Sequence, residues 1–72
     1  MEQYEVFDGC YGTVIGTNRY GAYLELPNGS RAFAYKFASL KYGSRVLCTV
    51  LKKAKEEKDI LVSIDSVLEY AA

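Results

Sequence analysis

The chain of 72 residues contains no histidine, two cysteines and a single proline. Without histidine there is no side chain whose ordinary pKa suits general acid–base work near neutral pH. Cys10 and Cys48 accordingly have no imidazole to activate either thiol as a nucleophile. They also lie far apart in sequence and cannot supply the roughly four ligands a zinc site takes. We expect two small buried thiols, neighbours on paired strands. Gly9, Gly12 and Gly16 are not followed by the Gly-Lys-Ser/Thr of a phosphate loop. Glu56 and Glu57 are adjacent in a charged run and read as solvated rather than as a catalytic pair. No enzymatic activity, metal or cofactor is expected.

Long apolar runs are missing as well. None approaches the roughly 20 residues of a membrane-spanning helix, and the opening MEQYEVFDG is acidic with no apolar leader core. We expect a cytoplasmic protein with no membrane partner. Half of the residues are hydrophobic and a quarter are charged, the balance of an ordinary globular domain. A chain of this length makes one domain, residues 1–72, that buries only about 60% of its unfolded surface.

The net charge is zero, but its distribution is uneven. Glu2, Glu5 and Asp8 give the first eight residues −3. Arg19, Arg31, Lys36, Lys41, Arg45, Lys52, Lys53 and Lys55 against Glu25 give residues 9–55 +7. Lys58 against Glu56, Glu57, Asp59, Asp65 and Glu69 leaves the remainder at −4. A basic middle between acidic ends can build a positive face on a neutral molecule. The alternative is a scatter of solubilising charge.

Five segments carry strand patterning, near 10–17, 20–26, 31–37, 45–52 and 60–64. In the second, Ala22, Leu24 and Leu26 share one face and Tyr23 and Glu25 the other. The PNGS sequence after it predicts a hairpin, since Asn and Gly tolerate positive φ. In RAFAYKF, Phe33, Tyr35 and Phe37 alternate with Ala32, Ala34 and Lys36. KYGS predicts a turn, and KKAKEEKD either a long hairpin loop or one turn of helix. Val46, Cys48 and Val50 of the fourth segment point inward, as do Ile60, Val62 and Ile64 of the fifth. The tail DSVLEYAA reads as a short helix, capped by Asp65 or by Ser66 with Glu69, or as an extra edge strand. Short strands, regular turns and no long helix predict an all-β fold, a small five-stranded barrel with a short C-terminal tail or helix.

If Ala22, Leu24 and Leu26 face the core, Tyr23 faces out. Gly21 permits a twist that brings Tyr20 round beside Tyr23. Two rings with Arg19 and Lys36 nearby form a stacking platform edged by cations, the kind of surface on which single-stranded nucleic acids bind. The alternative is that the tyrosines cap an open barrel end with their hydroxyls in water.

The stretch GTVIGTNRYGAYLEL, residues 12–26, resembles the opening of the ribosomal protein S1 domain family, which runs G-x-V and then F-G-A-F-V-x-L. LKYGSRVLCTVL, residues 40–51, and ILVSI, residues 60–64, are similar to its later strands, so that the likeness spans about residues 6–66. The resemblance implies an OB-fold that binds single-stranded RNA, with Tyr20 and Tyr23 in place of the family's paired aromatics. Tyrosine keeps the stacking face.

The third block departs from the family, whose histidine joins the RNA face. Counted from the Asn-Gly turn, Tyr35 takes that position, which sends Lys36 toward the core. Counted back from Leu40, Lys36 takes it, and Phe33, Tyr35 and Phe37 point inward. We read the second register, because burying a lysine is expensive. Asp59 stands where the family often carries a basic residue before the last strand, with Lys58, Lys52, Lys53 and Lys55 around it.

The expected function is weak, largely sequence-independent binding of single-stranded RNA, with a role in translation. Tyr20 and Tyr23 would stack bases, and Arg19, Lys36, Lys52 and Lys53 would contact phosphate. Tyr35 adds a ring if the other register holds. The expected setting is a monomer acting beside the ribosome or a larger RNA–protein complex. The alternative is an adaptor that binds protein on the same barrel and has lost RNA.

Overall fold

The computed structural model describes residues 4–53 and 59–71. Five strands, β1 (Gly9–Asn18), β2 (Gly21–Glu25), β3 (Arg31–Tyr35), β4 (Arg45–Lys52) and β5 (Ile60–Glu69), close a barrel in the order β1-β2-β3-β5-β4. Every neighbouring pair is antiparallel except β3 and β5. Lys55, Glu56, Glu57 and Lys58, and with them the question of loop or helical turn in KKAKEEKD, lie outside the described residues.

β1 serves two neighbours. Its first half, Gly9–Thr13, pairs with β4; its second half, Thr13–Asn18, pairs with β2. The pairing slips by one residue between Val14 and Gly16, a bulge that bends the strand from one partner to the other. Alternation along the strands then sends Val14, Ala22, Leu24, Ala32, Ala34, Val46, Val50 and Val62 inward, where they are fully buried. These side chains are mostly small, and burying each valine or leucine contributes about 1.5–3 kcal/mol. Cys10 and Cys48 sit opposite each other on β1 and β4, both buried and both free, with sulfurs 3.3 Å apart. The expectation of neighbouring buried thiols holds.

The PNGS hairpin forms as expected. Leu26 N–H donates to Ser30 O and Gly29 N–H to Leu26 O, while Asn28 Oδ1 accepts from Ser30 N–H. Only Gly29 takes positive φ, at 87°. KYGS is a turn in which Gly43 N–H donates to Val14 O. The connection from β3 to β4 brings Phe37 and Leu40 against the core.

Two expectations are corrected. The tail does not form a helix: residues 65–69 continue β5, pairing with β4 as far as Arg45↔Glu69. Neither Asp65 nor Ser66 caps anything; Asp65 accepts a hydrogen bond from the Thr49 hydroxyl. The first half of β4 needs a partner on its second edge, and Val67 packs against the core from that position. A helix of one turn would have buried less. The second correction concerns the register of β3. Ala32 and Ala34 are the buried residues, while Phe33 and Tyr35 face out. The feared burial of Lys36 does not arise, because the strand ends at Tyr35 and Lys36 turns away at φ 79°.

Candidate nucleic-acid interface

The outward positions of β2 and β3 carry Tyr23, Phe33 and Tyr35. Tyr23 and Phe33 are register partners whose ring centroids lie 5.0 Å apart at 59°. Phe33 and Tyr35, two residues apart on one face, meet edge to face, also at 5.0 Å. Such tilted and T-shaped contacts suit the ring quadrupole. The three rings make one continuous strip. Tyr35 stays 59% exposed because its partner in the ladder, Gly21, has no side chain.

The glycine at that point is required by space. A Cβ on Gly21 would stand 2.0 Å from Ala34 O. The chain enters β2 through a tight turn in which Asn18 Oδ1 accepts from both Tyr20 N–H and Gly21 N–H, at 2.8 and 3.1 Å. Asn18 Nδ2 also donates to the Tyr23 hydroxyl at 3.3 Å. Tyr20 therefore lies in the turn, 58% exposed. Lys36 N–H donates to Tyr20 O at 2.9 Å, which ties the two ends of the ribbon together.

Cations edge the strip. The Arg19 guanidinium lies 5.2 Å from the Tyr20 ring centroid, and that of Arg31 lies 5.5 Å from the Tyr23 centroid, both cation–π contacts. Arg31 Nε also donates to Asp59 Oδ1 at 2.9 Å, and this hydrogen bond and the carboxylate charge raise the guanidinium pKa further. Asp59, placed where a basic residue was expected, thus fixes a cation over the platform. On the other flank the ladder runs from Phe33 to Leu61 and from Leu61 to Lys52, so Lys52 stands two strands from Phe33.

The structure gathers Arg19, Tyr20, Tyr23, Tyr35 and Lys36 around one ribbon. The rings of Tyr20 and Tyr23 are not in contact; Phe33 is the neighbour of Tyr23 instead. Lys53 is engaged with Glu5 at 2.9 Å and is not a free cation. Sequence reading missed Phe33, Arg31 and Asn18. Alternation puts Phe33 on the face of Tyr35, but the register counted from Leu40 turned that face inward. Among the described residues, no group of three or more His, Cys, Asp or Glu side chains is placed to hold a metal, and no helix is long and apolar enough to cross a membrane.

No family model and no curated protein matches the chain. Solved structures do. GSP13 from Bacillus subtilis is 26% identical with a TM-score of 0.72, over 86% of this chain and 56% of that one. The intact alpha subunit of aIF2 from Pyrococcus abyssi is 26% identical with a TM-score of 0.71, over 88% of this chain and 30% of that one. The uncharacterized protein MJ1198 from Methanocaldococcus jannaschii, at 17% identity and a TM-score of 0.68, covers 99% of this chain and 96% of its own and shares the fold. The chain thus spans just over half of GSP13 and under a third of the aIF2 subunit. A closed five-stranded barrel in this strand order is an OB-fold. Within that class, the likeness to these structures makes it an S1-like OB-fold.

Proposed function

We propose that the protein binds single-stranded RNA weakly and with little sequence preference along the outer face of β2 and β3. The observation that carries this reading is the unbroken ring strip Tyr23–Phe33–Tyr35, with Arg31 at one end and Tyr20, Arg19 and Lys36 at the other. Stacking serves any base, at about 1–3 kcal/mol each, and the cations follow the phosphates. The S1-like fold supports an RNA ligand, and β2 and β3 are the strands an OB-fold uses for oligonucleotides. The four cations Arg19, Arg31, Lys36 and Lys52 give a modest electrostatic term. We place the protein as a monomer beside a larger RNA–protein assembly in the cytoplasm, where a high local RNA concentration offsets low affinity.

The test is a backbone amide titration by NMR with hexauridylate, at low and near-physiological salt. Shifts confined to residues 18–23, 31–36 and 52, fading as salt rises, are the expected result. A folded spectrum with no shifts at low salt would overturn the reading. The adaptor alternative draws on the Arg31–Asp59 and Lys53–Glu5 pairs, which occupy two of the basic residues. An apolar protein contact would differ in being nearly insensitive to salt.

A further inference from the structure

Beyond the ring strip, β1, β2, β4 and the hairpin after β2 border an open cleft of about 360 Å³. It is lined by Tyr11, Thr13, Glu25 and Arg45, with Leu26 and Pro27 as its apolar wall. The cleft is of the size that takes a small ligand. Its polar groups are not engaged with other parts of the described protein. Glu25 faces Arg31 in the ladder, but Arg31 is held by Asp59. Arg45 faces Glu69 in the ladder and forms no ion pair with it. Among the described residues, the side chains of Tyr11, Thr13, Glu25 and Arg45 have no hydrogen-bonded or ionic partner. Tyr11 is 55% exposed, so a face of its ring is open.

The register fixes the spacing. Thr13 is the direct partner of Glu25 on one side and of Arg45 on the other. The carboxylate and the guanidinium therefore rise from strands two spacings apart, roughly 9–10 Å at the backbone. A flat heterocycle stacked on Tyr11 fits between them. Of the four RNA bases, only guanine presents two adjacent donors, N1–H and the N2 amino group, to one carboxylate. It also carries the O6 and N7 acceptors that an arginine reads bidentately. Adenine, cytosine and uracil each place an acceptor lone pair or carbonyl beside their donor, which repels a carboxylate.

We propose that this cleft is a guanine-binding subsite. Glu25 accepts from N1–H and N2–H, Arg45 donates to O6 and N7, and Tyr11 stacks on the ring. Glu25 lies two residues from Tyr23 on the same face of β2, so the cleft adjoins the Arg31 end of the ring strip. An RNA lying on the strip reaches it with one terminal nucleotide. In that form the inference rests on the RNA-binding reading; a free guanine nucleotide would present the same chemistry.

The test has two arms on the intact protein. In the first, GMP, AMP, CMP and UMP are titrated by NMR. In the second, hexauridylate is compared with the same oligomer carrying guanine at its 5′ or 3′ end, by fluorescence anisotropy. The expected result is GMP-specific shifts at residues 11, 13, 25 and 45, and a guanine-ended oligomer binding about 5- to 100-fold tighter, as one well-read base contributes. Glu25→Gln erases the preference without weakening hexauridylate binding, and Tyr11→Ala reduces both guanine signals. GMP shifts without any oligomer preference would assign the cleft to a free nucleotide. Guanine selectivity in neither arm, or selectivity that survives Glu25→Gln, overturns the proposal. Hexauridylate binding with a silent cleft sinks the cleft alone; GMP binding with no hexauridylate binding sinks the platform alone.

Discussion

Tyr23 and Phe33 stand directly opposite each other on β2 and β3, with ring centroids 5.0 Å apart on the outside of the barrel. Both side chains alternate with fully buried neighbours, Ala22 and Leu24 on one strand, Ala32 and Ala34 on the other. The small alanines keep the barrel narrow, and the large rings are left for the surface. That division of labour lets the platform be changed without dismantling the core.

Tyr35→Ala therefore tests binding apart from folding. The side chain is mostly exposed, so the melting temperature should move little. Single-stranded RNA affinity should fall about 5- to 100-fold, the loss of one base stack. Anisotropy and thermal melting on the same sample check both. Unchanged affinity would remove Tyr35 from the platform.

Gly21→Ala should prevent folding or lower stability by more than about 3 kcal/mol. The new Cβ would strike the backbone oxygen of Ala34, which cannot move without parting β2 from β3. Gly16→Ala is the control, because nothing lies within 4 Å of a Cβ there. Denaturant melts of the two variants should separate them clearly.

Lys36→Gly should gain stability and lose affinity together. A lysine at φ 79° carries roughly 1–2 kcal/mol of left-handed strain that glycine relieves, partly offset by the entropy of the unfolded glycine. The cation at the edge of the ring strip disappears in the same step. A higher denaturation midpoint with a shallower salt dependence of RNA binding is the expected pair of results.

Stability should fall as the solution is made alkaline. Burial, then the Cys10 contact, pushes the Cys48 thiol far above its ordinary range. The unfolded chain ionises the Cys48 thiol near pH 8.5 while the folded chain holds its proton, so that proton is bound more tightly in the folded state. The contribution is complete below about pH 8.5 and declines as pH rises toward the raised value, by at most about 1.4 kcal/mol per pH unit. Melts of the native protein between pH 7 and 10 should show the decline, and Cys48→Ala should flatten it.

Much of this was legible in the order of residues. The alternation of Ala22, Leu24 and Leu26 with Tyr23 and Glu25 placed the inside and outside of β2 correctly, because the period of a strand is fixed by its backbone. Asn28-Gly29 located the hairpin, and Cys10 and Cys48 were read as neighbours. β3 was misread because its two ends argue for opposite registers, and only the turn at Lys36 lets Tyr35 face out without burying a charge. The tail stayed open between a helix and an edge strand because Asp65, Ser66 and Glu69 also suit a helix start, and strand length depends on what β4 offers to pair with.

The sequence by itself determined the number of strands, the small apolar set that fills the barrel, and the presence of an aromatic and basic surface, since these follow from side-chain period and turn chemistry. The tertiary structure alone decided which rings meet, which cations remain free, and that Glu25 and Arg45 face one cleft. Those relations join residues on different strands. They depend on the bulge in β1, the end of β3 and the ion pair of Arg31 with Asp59, none of which local pattern encodes.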